Sequence, residues 1–171
     1  MLEVFLWTND IDIAMLQEVT GSQLDSICRY TKHVNIGTER RGTAILARDG
    51  LILTDVRCLP SGRGIAWLYN GTRLINIYTP SDAERKEERE WYYNVYVPYL
   101  HPATETDITF AGNFNCVLSH TDATGHRKNS PALENFSDWT RSVWCGGNDV
   151  VETDIHSLYP HEVLKTSTHQ Y

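Results

Sequence analysis

Residues 110–119 read Phe-Ala-Gly-Asn-Phe-Asn-Cys-Val-Leu-Ser, an apolar segment interrupted by a glycine and two asparagines. The pattern predicts the end of a buried strand, with Asn113 and Asn115 two positions apart. Side chains at positions i and i+2 of an extended strand point to the same face of the sheet. The stretch therefore predicts that two amide side chains converge on one site at the carboxyl end of a strand.

Two other predicted strands also end in polar residues. The apolar run Ile13–Leu16 is typical of a strand buried on both faces, and Gln17-Glu18 follows it. A carboxylate in that position suits Mg²⁺, which prefers oxygen ligands, or it marks the exit of the strand to solvent. Tyr78 ends the next such run, where its phenol can donate to a phosphate or pack as a half-buried strand residue.

The remaining pattern predicts strands and helices in one layered α/β or α+β domain that spans residues 1–171. Asn70-Gly71 lies between two β-rich runs and predicts a hairpin. Ser81 and Glu84 form a capping box for a helix that extends to about Tyr96 and is ended by Pro98. Further helices are predicted at 2–9 and 132–143, and strands at 43–48, 51–59, 65–69, 73–78, 107–111 and from Val150.

Composition limits the classes of protein to consider. No apolar run reaches the roughly 20 residues of a membrane helix, and residues 1–9 lack the features of a secretory signal. The four cysteines have no metal-ligand spacing, which favours reduced thiols in an intracellular protein. A net charge of −7 argues against a protein that coats DNA, although a local basic surface is enough for an enzyme. Five cations could supply one: Lys32, Arg40, Arg41, Arg48 and Arg63.

Several segments occur in the order found in the endonuclease/exonuclease/phosphatase superfamily, which includes deoxyribonuclease I and the apurinic endonucleases. The chain resembles that superfamily at residues 12–19, 41–46, 76–81 and 112–119. The segments Leu59-Pro60-Ser61-Gly62-Arg63 and 121–126 are similar to the apurinic-type endonuclease domain of non-LTR (LINE-type) retrotransposon polyproteins. This resemblance extends over nearly the whole chain.

The resemblance implies a deoxyribonuclease I-like four-layer αββα sandwich with a phosphodiesterase site at one end. It implies that Glu18 binds Mg²⁺ or Mn²⁺ and that Tyr78 contacts the scissile phosphate. It also implies that Asn115 holds the phosphate or the attacking group, and that Asn113 stands where an aspartate would orient or deprotonate the attacking water. Weaker matches imply contacts to phosphate or DNA from Ser81, Arg63 and Thr168. The implied partners are DNA and the remainder of a retrotransposon polyprotein, with a nuclear location and no membrane.

The chain departs from the family pattern at Asn113, where the family carries an aspartate. An amide cannot act as a general base, and because it carries no negative charge it contributes less to a metal site than an aspartate does. The family also has a preceding strand and a later Asp-His pair that this chain lacks, so we expect a domain truncated at both ends and impaired in catalysis. The alternatives are an inactive nucleic-acid-binding or non-functional remnant, or another hydrolase of the superfamily that acts on a phosphoinositide, a sphingomyelin or an RNA tail.

Overall fold

Two β-sheets pack face to face between helical layers in the computed structural model, which describes residues 1–38, 40–80, 88, 91–101 and 107–115. All of these residues belong to one compact unit, Met1–Trp139. The described strands are β1 Ile13–Val19, β2 Tyr30–Ile36, β3 Gly42–Arg48, β4 Thr54–Cys58, β5 Gly64–Tyr69, β6 Thr72–Tyr78 and β7 Ile108–Asn113. The helices with described bounds are α1 Leu2–Thr8 and α2 Val97–Leu100, with a 3₁₀ turn at Gly21–Leu24 and a π-helical turn at Tyr92–Tyr96.

The strands of the first sheet, which we call sheet A, follow the order β1-β3-β2 and are antiparallel. Sheet B has the order β4-β5-β6-β7, and only its β6-β7 pair is parallel. The pairs β4-β5 and β5-β6 are connected directly in sequence, and Asn70 and Gly71 join β5 to β6 with φ angles of 49° and 86°. Positive φ at both central residues is the geometry of a type I′ turn, which confirms the predicted hairpin.

The core has a layer on each face of sheet A. Because neighbouring strand residues point to opposite faces, Ala44 and Leu46 of β3 face α1 while Ile45 and Ala47 face sheet B. The outer layer contains Leu6, Val19, Leu24, Ile27, Tyr30, Ala44 and Leu46. The inter-sheet layer contains Ile45, Ala47, Ile65 and Trp67.

A further layer covers the other face of sheet B, where α2 packs on β4 and β5. Gly64 makes this packing possible, because a Cβ there would lie 2.9 Å from Cδ1 of Leu100. The order α1, sheet A, sheet B, α2 confirms the predicted four-layer αββα sandwich. No helix among the described residues is long and apolar enough to span a membrane.

Several predicted elements differ from the observed ones. Strand β2 and the 3₁₀ turn were not predicted, because β2 alternates polar and apolar residues only weakly. The helix does not end at Pro98 as predicted but continues to Leu100. The π-helical turn Tyr92–Tyr96 comes directly before α2, and Pro98 stands in the first turn of α2, where a missing N–H is tolerated. The predicted capping box, the helix at 132–143 and the strand at Val150 lie outside the described residues.

Candidate active site

The carboxyl ends of β1, β6 and β7 meet at one end of the sandwich. Tyr78 and Asn113, the last residues of β6 and β7, are paired in register in the parallel ladder. The chain beyond β6 stays attached to β7, since the N–H of Thr79 donates to the carbonyl of Asn113 over 2.9 Å. The sequence thus places a phenol and an amide next to each other at the edge where ligands commonly bind.

A buried amide fixes β1 against β6 at this end. The Asn76 side chain is fully buried, and its Nδ2 donates to the carbonyls of Leu16 and Ala44 at 2.9 Å each. Its Oδ1 accepts from Nε2 of Gln17 over 2.6 Å. These bonds join the two sheets one residue before Glu18 and two residues before Tyr78, so the positions of both are set by the same contact.

Glu18 occupies a bulge at the end of β1. The pairing with β3 shifts between Gln17 and Val19, and Glu18 itself has a φ of 57°. A glutamate in the left-handed region is uncommon and favours a site where the surrounding structure imposes the conformation. Its Oε2 lies 2.9 Å from Nη1 of Arg41, in an ion pair whose side chains are 42% and 63% exposed respectively.

Tyr78 is half-buried beside both charges. The guanidinium of Arg63 stacks on its ring, with Cζ 4.9 Å from the ring centroid. Burial raises the pKa of the Tyr78 phenol above its usual value, the negative charge of Glu18 raises it further, and Arg63 acts in the opposite direction. The phenol therefore keeps its proton at neutral pH and is a hydrogen-bond donor to an anion.

The loop 59–63 closes the site from the β4-β5 side. Asn35 donates through Nδ2 to the carbonyls of Leu59 and Gly64 at 2.8 Å each, and Thr43 Oγ1 donates to the carbonyl of Gly62 at 3.1 Å. Gly62 has a φ of 77°, and a Cβ on it would lie 2.1 Å from the backbone nitrogen of Gly37. Only glycine fits that backbone contact, so the loop is held rigidly against sheet A.

Two further bonds place Arg63 at the end of this loop. Its carbonyl accepts from the N–H of Tyr78 over 2.8 Å and from the phenol of Tyr92 over 2.6 Å. The resulting cleft has a volume of about 230 Å³ and is lined by Arg41, Ser61, Arg63 and Tyr78. Two guanidinium groups, a hydroxyl and a phenol are all hydrogen-bond donors, which suits the cleft to a phosphate-sized anion.

The two asparagines meet through a turn and not through a shared strand face. Asn115 lies beyond β7 with a φ of 48°, so the predicted extended geometry is wrong for this residue. Its N–H donates to Oδ1 of Asn113 over 2.9 Å, and its Nδ2 donates to the carbonyl of Thr79 over 2.5 Å. A short side chain that accepts from the residue two positions on is typical of asparagine in turns. Oδ1 of Asn115 accepts none of these bonds.

The predicted site residues within the described ranges gather at this end: Glu18, Arg63, Tyr78, Asn113 and Asn115. Ser81 and Thr168 lie outside the described residues. Of the proposed basic surface, Arg41 and Arg63 line the cleft, whereas Arg48 is at the opposite end of β3 and pairs with Asp10 and Asp12. Lys32 donates to the carbonyls of Leu24 and Ile27 and contributes to folding there.

Three contributions were not predicted: the ion pair of Arg41, the cleft hydroxyl of Ser61 and the inter-sheet contact of Asn76. Arg41 and Glu18 are 23 positions apart, and no local pattern links them. Asn76 did carry a usable signal. It stands between Ile75 and Ile77 in a predicted strand, and a polar side chain in a buried run needs a hydrogen-bonding partner.

The oxygen donors of this end suit a hard divalent cation. In the part of the chain that the structure describes, no three side chains of the types His, Cys, Asp and Glu come together. Among the described residues of this end, the Glu18 carboxylate is a charged oxygen donor for such an ion. Mg²⁺ commonly binds through one or two carboxylates and keeps several waters, so this carboxylate fits it.

Comparison with solved structures identifies the fold. The chain matches the 3′ phosphatase NExo from Neisseria bound to a product DNA hairpin, with a TM-score of 0.67 and 20% identity over 81% of this chain. It matches an AP endonuclease from Archaeoglobus fulgidus with a TM-score of 0.68 and 20% identity over 95% of this chain. A 3′-5′ exonuclease from Neisseria meningitidis gives 0.65 and 19% over 85%.

These likenesses establish a common fold, since identities of this size do not carry function with them. The chain covers 63%, 69% and 70% of the lengths of those three structures respectively. No protein-family profile and no curated protein matches the sequence. The predicted deoxyribonuclease I-like fold is confirmed.

Proposed function

We propose that the chain is a phosphodiesterase-type nuclease domain of the endonuclease/exonuclease/phosphatase superfamily that acts on DNA with Mg²⁺ or Mn²⁺. The main supporting observation is the cleft beside the Glu18 carboxylate, which is large enough for a phosphate and is lined by Arg41, Ser61, Arg63 and Tyr78. All four lining groups donate hydrogen bonds, and a carboxylate next to them provides a cation site. The fold neighbours described above support DNA as the substrate, since one of them is bound to a DNA hairpin.

The side chains have separate roles in this proposal. Glu18 holds the divalent ion, which when bound supplies a Lewis acid for a phosphoryl oxygen, and Asn115 holds the phosphate or the attacking group. The protonated phenol of Tyr78 and the guanidinium of Arg63 donate to the phosphate and stabilise the charge that develops on it. Asn113 orients water through an amide that accepts or donates but does not take a proton. Ser81 and Thr168 remain proposed contacts to phosphate or DNA.

Asn113 is the reason we propose impaired catalysis. General-base assistance commonly contributes about 10²–10⁴-fold to a rate, and an amide does not supply it. An aspartate at this position would keep the acceptor oxygen that Asn115 uses, because Asp and Asn have the same shape. The substitution Asn113→Asp therefore adds a base and a negative charge with little change to the local turn.

We also propose an origin for the domain. Segments 59–63 and 121–126 support a domain from a non-LTR retrotransposon polyprotein, with a nuclear location and the rest of that polyprotein as a partner. The second candidate function is binding of DNA without cleavage. It is favoured by Asn113 together with a cleft that retains its cationic wall.

Nicking of supercoiled plasmid in the presence of Mg²⁺ tests these proposals. We expect slow nicking by the chain and a gain of about 10²–10⁴-fold for Asn113→Asp. Glu18→Gln and Tyr78→Phe introduced into the Asn113→Asp chain should lose most of that gain. Asp10→Asn, which removes an acidic group at the other end of the sandwich, is the matched control and should leave the rate unchanged.

Two outcomes would count against the enzyme. If the Asn113→Asp chain keeps its circular-dichroism spectrum and thermal transition but does not nick, the proposal that Asn113 is what limits nicking by this chain is wrong. If it then binds DNA with an affinity that falls steeply with salt, the binding function replaces the catalytic one.

A further inference from the structure

Arg41 stands between the two halves of the site. Its Nη1 pairs with Oε2 of Glu18 over 2.9 Å, and the same side chain forms a wall of the cleft that contains Tyr78 and Arg63. One guanidinium therefore borders both the proposed cation ligand and the proposed phosphate space. Its five N–H donors allow it to reach either an acid or a phosphate with little movement.

The ion pair is in competition with a divalent ion. A cation that binds Glu18 removes part of the negative charge that holds Arg41, and its own charge repels the guanidinium. The exposed fractions of 63% and 42% keep this pair in a high dielectric, where such pairs are weak. Glu18 is therefore available to a competing cation without disruption of the core.

The position of Arg63 makes Arg41 the movable member of the two cleft arginines. The carbonyl of Arg63 is fixed by Tyr78 and Tyr92, and its guanidinium is stacked on the Tyr78 ring. Arg41 directly follows Arg40, whose φ is 61°, and precedes β3, and more than half of its side chain is in solvent.

We propose that Arg41 exchanges partners, with Glu18 as its partner in the free protein and a phosphodiester oxygen in the cleft once a divalent cation occupies Glu18. This inference rests on the proposed function, because it takes both ligands from there. It has a thermodynamic consequence. A cation on Glu18 releases Arg41 for the phosphodiester, and a phosphodiester on Arg41 releases Glu18 for the cation. Each ligand must therefore raise the affinity of the chain for the other by the same factor.

Calorimetric titration of the full chain with Mg²⁺ alone is the first test. Arg41→Gln should bind Mg²⁺ about two- to fivefold more tightly, which is the size expected when an exposed ion pair no longer competes. Arg48→Gln is the control, because it removes the same charge from the opposite end of β3 and should leave the affinity unchanged. Glu18→Gln should abolish the binding heat and so assign it to this site.

The second test repeats the titration with dimethyl phosphate, a phosphodiester without bases. The unaltered chain should bind Mg²⁺ more tightly when the phosphodiester is present, by a few-fold, and Arg41→Gln should lose this coupling. If Arg41→Gln changes neither the affinity for Mg²⁺ nor the coupling, partner exchange is wrong. It is also wrong if Mg²⁺ binds equally to the Glu18→Gln chain.

These binding experiments can be decided independently of whether the chain is a nuclease. Coupled binding that depends on Arg41, combined with no nicking by the Asn113→Asp chain, would retain partner exchange and count against the enzyme. Nicking by that chain with unchanged binding in Arg41→Gln would reject partner exchange alone.

Discussion

Two acidic residues within strands of this molecule share a positive φ angle and an arginine partner, but they differ in their surroundings. Glu18 lies in a bulge of β1 with a φ of 57° and pairs with Arg41, whose side chain is 63% exposed. Asp55 lies in a shifted register of β4 with a φ of 47° and pairs with Arg73, whose side chain is fully buried.

The difference lies in how many groups hold each pair. Arg73 donates to the backbone carbonyl of Asp55 over 2.7 Å as well as to its carboxylate, and Arg57 binds the same carboxylate from outside at 3.0 Å. Among the described residues, Arg41 meets Glu18 through one 2.9 Å contact at the edge of an open cleft. An acid–arginine pair at an irregular strand position therefore stabilises the fold where the arginine is desolvated, as at Asp55. It leaves the carboxylate available for ligands where the arginine is exposed, as at Glu18.

The largest effect should come from Asp55→Asn. It takes the Asp55 carboxylate away from the fully buried Arg73, which should cost at most about 3 kcal/mol of folding free energy, because the Asp55 side chain is itself 41% exposed. A loss of that size corresponds to a decrease in Tm of about 6–12 °C in a chain of this length. Glu18→Gln should cost less than about 1 kcal/mol.

Thermal unfolding of the two variants beside the unaltered chain measures both losses. A loss of stability for Glu18→Gln as large as that for Asp55→Asn would contradict the claim that the Asp55–Arg73 pair stabilises the fold more than the Glu18–Arg41 pair does.

Acid should remove the contribution of the Asp55–Arg73 pair, in which only the arginine is buried. Hydrogen bonds from Arg73 and then from Arg57 lower the pKa of the Asp55 carboxyl below its usual 3.8. Because the folded pKa is depressed, the stabilisation is fully present above the usual pKa and is lost as the pH falls through the folded value. We expect the difference in unfolding free energy between the unaltered chain and Asp55→Asn to stay constant above about pH 5 and to narrow below it.

Urea unfolding at a series of pH values is the measurement. A difference that vanished already near neutral pH would contradict an aspartate held in its ionised form by two arginines.

Sequence patterns were sufficient for much of the framework. The Asn70-Gly71 turn, the apolar run of β1 and the amide-rich end of β7 were all predicted from local signals, since each depends on periodicity or on residues that tolerate positive φ. The residues named from family resemblance, Glu18, Tyr78 and Asn113, were found at one end of the sandwich. Their chemical roles stay predictions.

The different partners and burial of Arg41 and Arg73 could not be predicted from the sequence. Arg41 directly precedes a β-rich segment and Arg73 lies within one, and nothing local shows that Arg41 is exposed and Arg73 is buried. Burial is decided when the sheets stack, so it depends on residues far apart in sequence. The same is true of Asp55, whose left-handed backbone arises from the register shift of β4 against β5.

His33 offers a third, smaller case, a titratable group in the inter-sheet region whose main influence is burial. Its ring packs edge-to-face on Trp67 with centroids 4.4 Å apart, and burial lowers its pKa from the usual 6.5. The folded chain therefore disfavours the protonated form, and stability should decrease as the pH falls below 6.5 towards the folded pKa. The decrease should be smaller than the loss caused by Asp55→Asn.

Comparison of the unaltered chain with His33→Gln between pH 7.5 and 5.5, by urea unfolding, isolates this group. The variant should have the shallower dependence on pH. An identical dependence of the unfolding free energy on pH in both chains would show that protonation of His33 is not disfavoured in the fold. Burial of His33 would then have no measurable effect on its titration.

The smallest effect distinguishes the two arginine pairs by salt. At an ionic strength of 1 M the screening length is about 3 Å, which weakens exposed pairs and leaves desolvated ones nearly unchanged. The few tenths of a kcal/mol by which Glu18→Gln destabilises the chain should therefore disappear in 1 M NaCl. The loss in Asp55→Asn should persist, since Arg73 has no access to ions. Thermal unfolding in low and high salt compares the two on one protein. If both losses persist in salt, Arg41 is held as firmly as Arg73, and an arginine held in that way would not leave Glu18 for a phosphodiester.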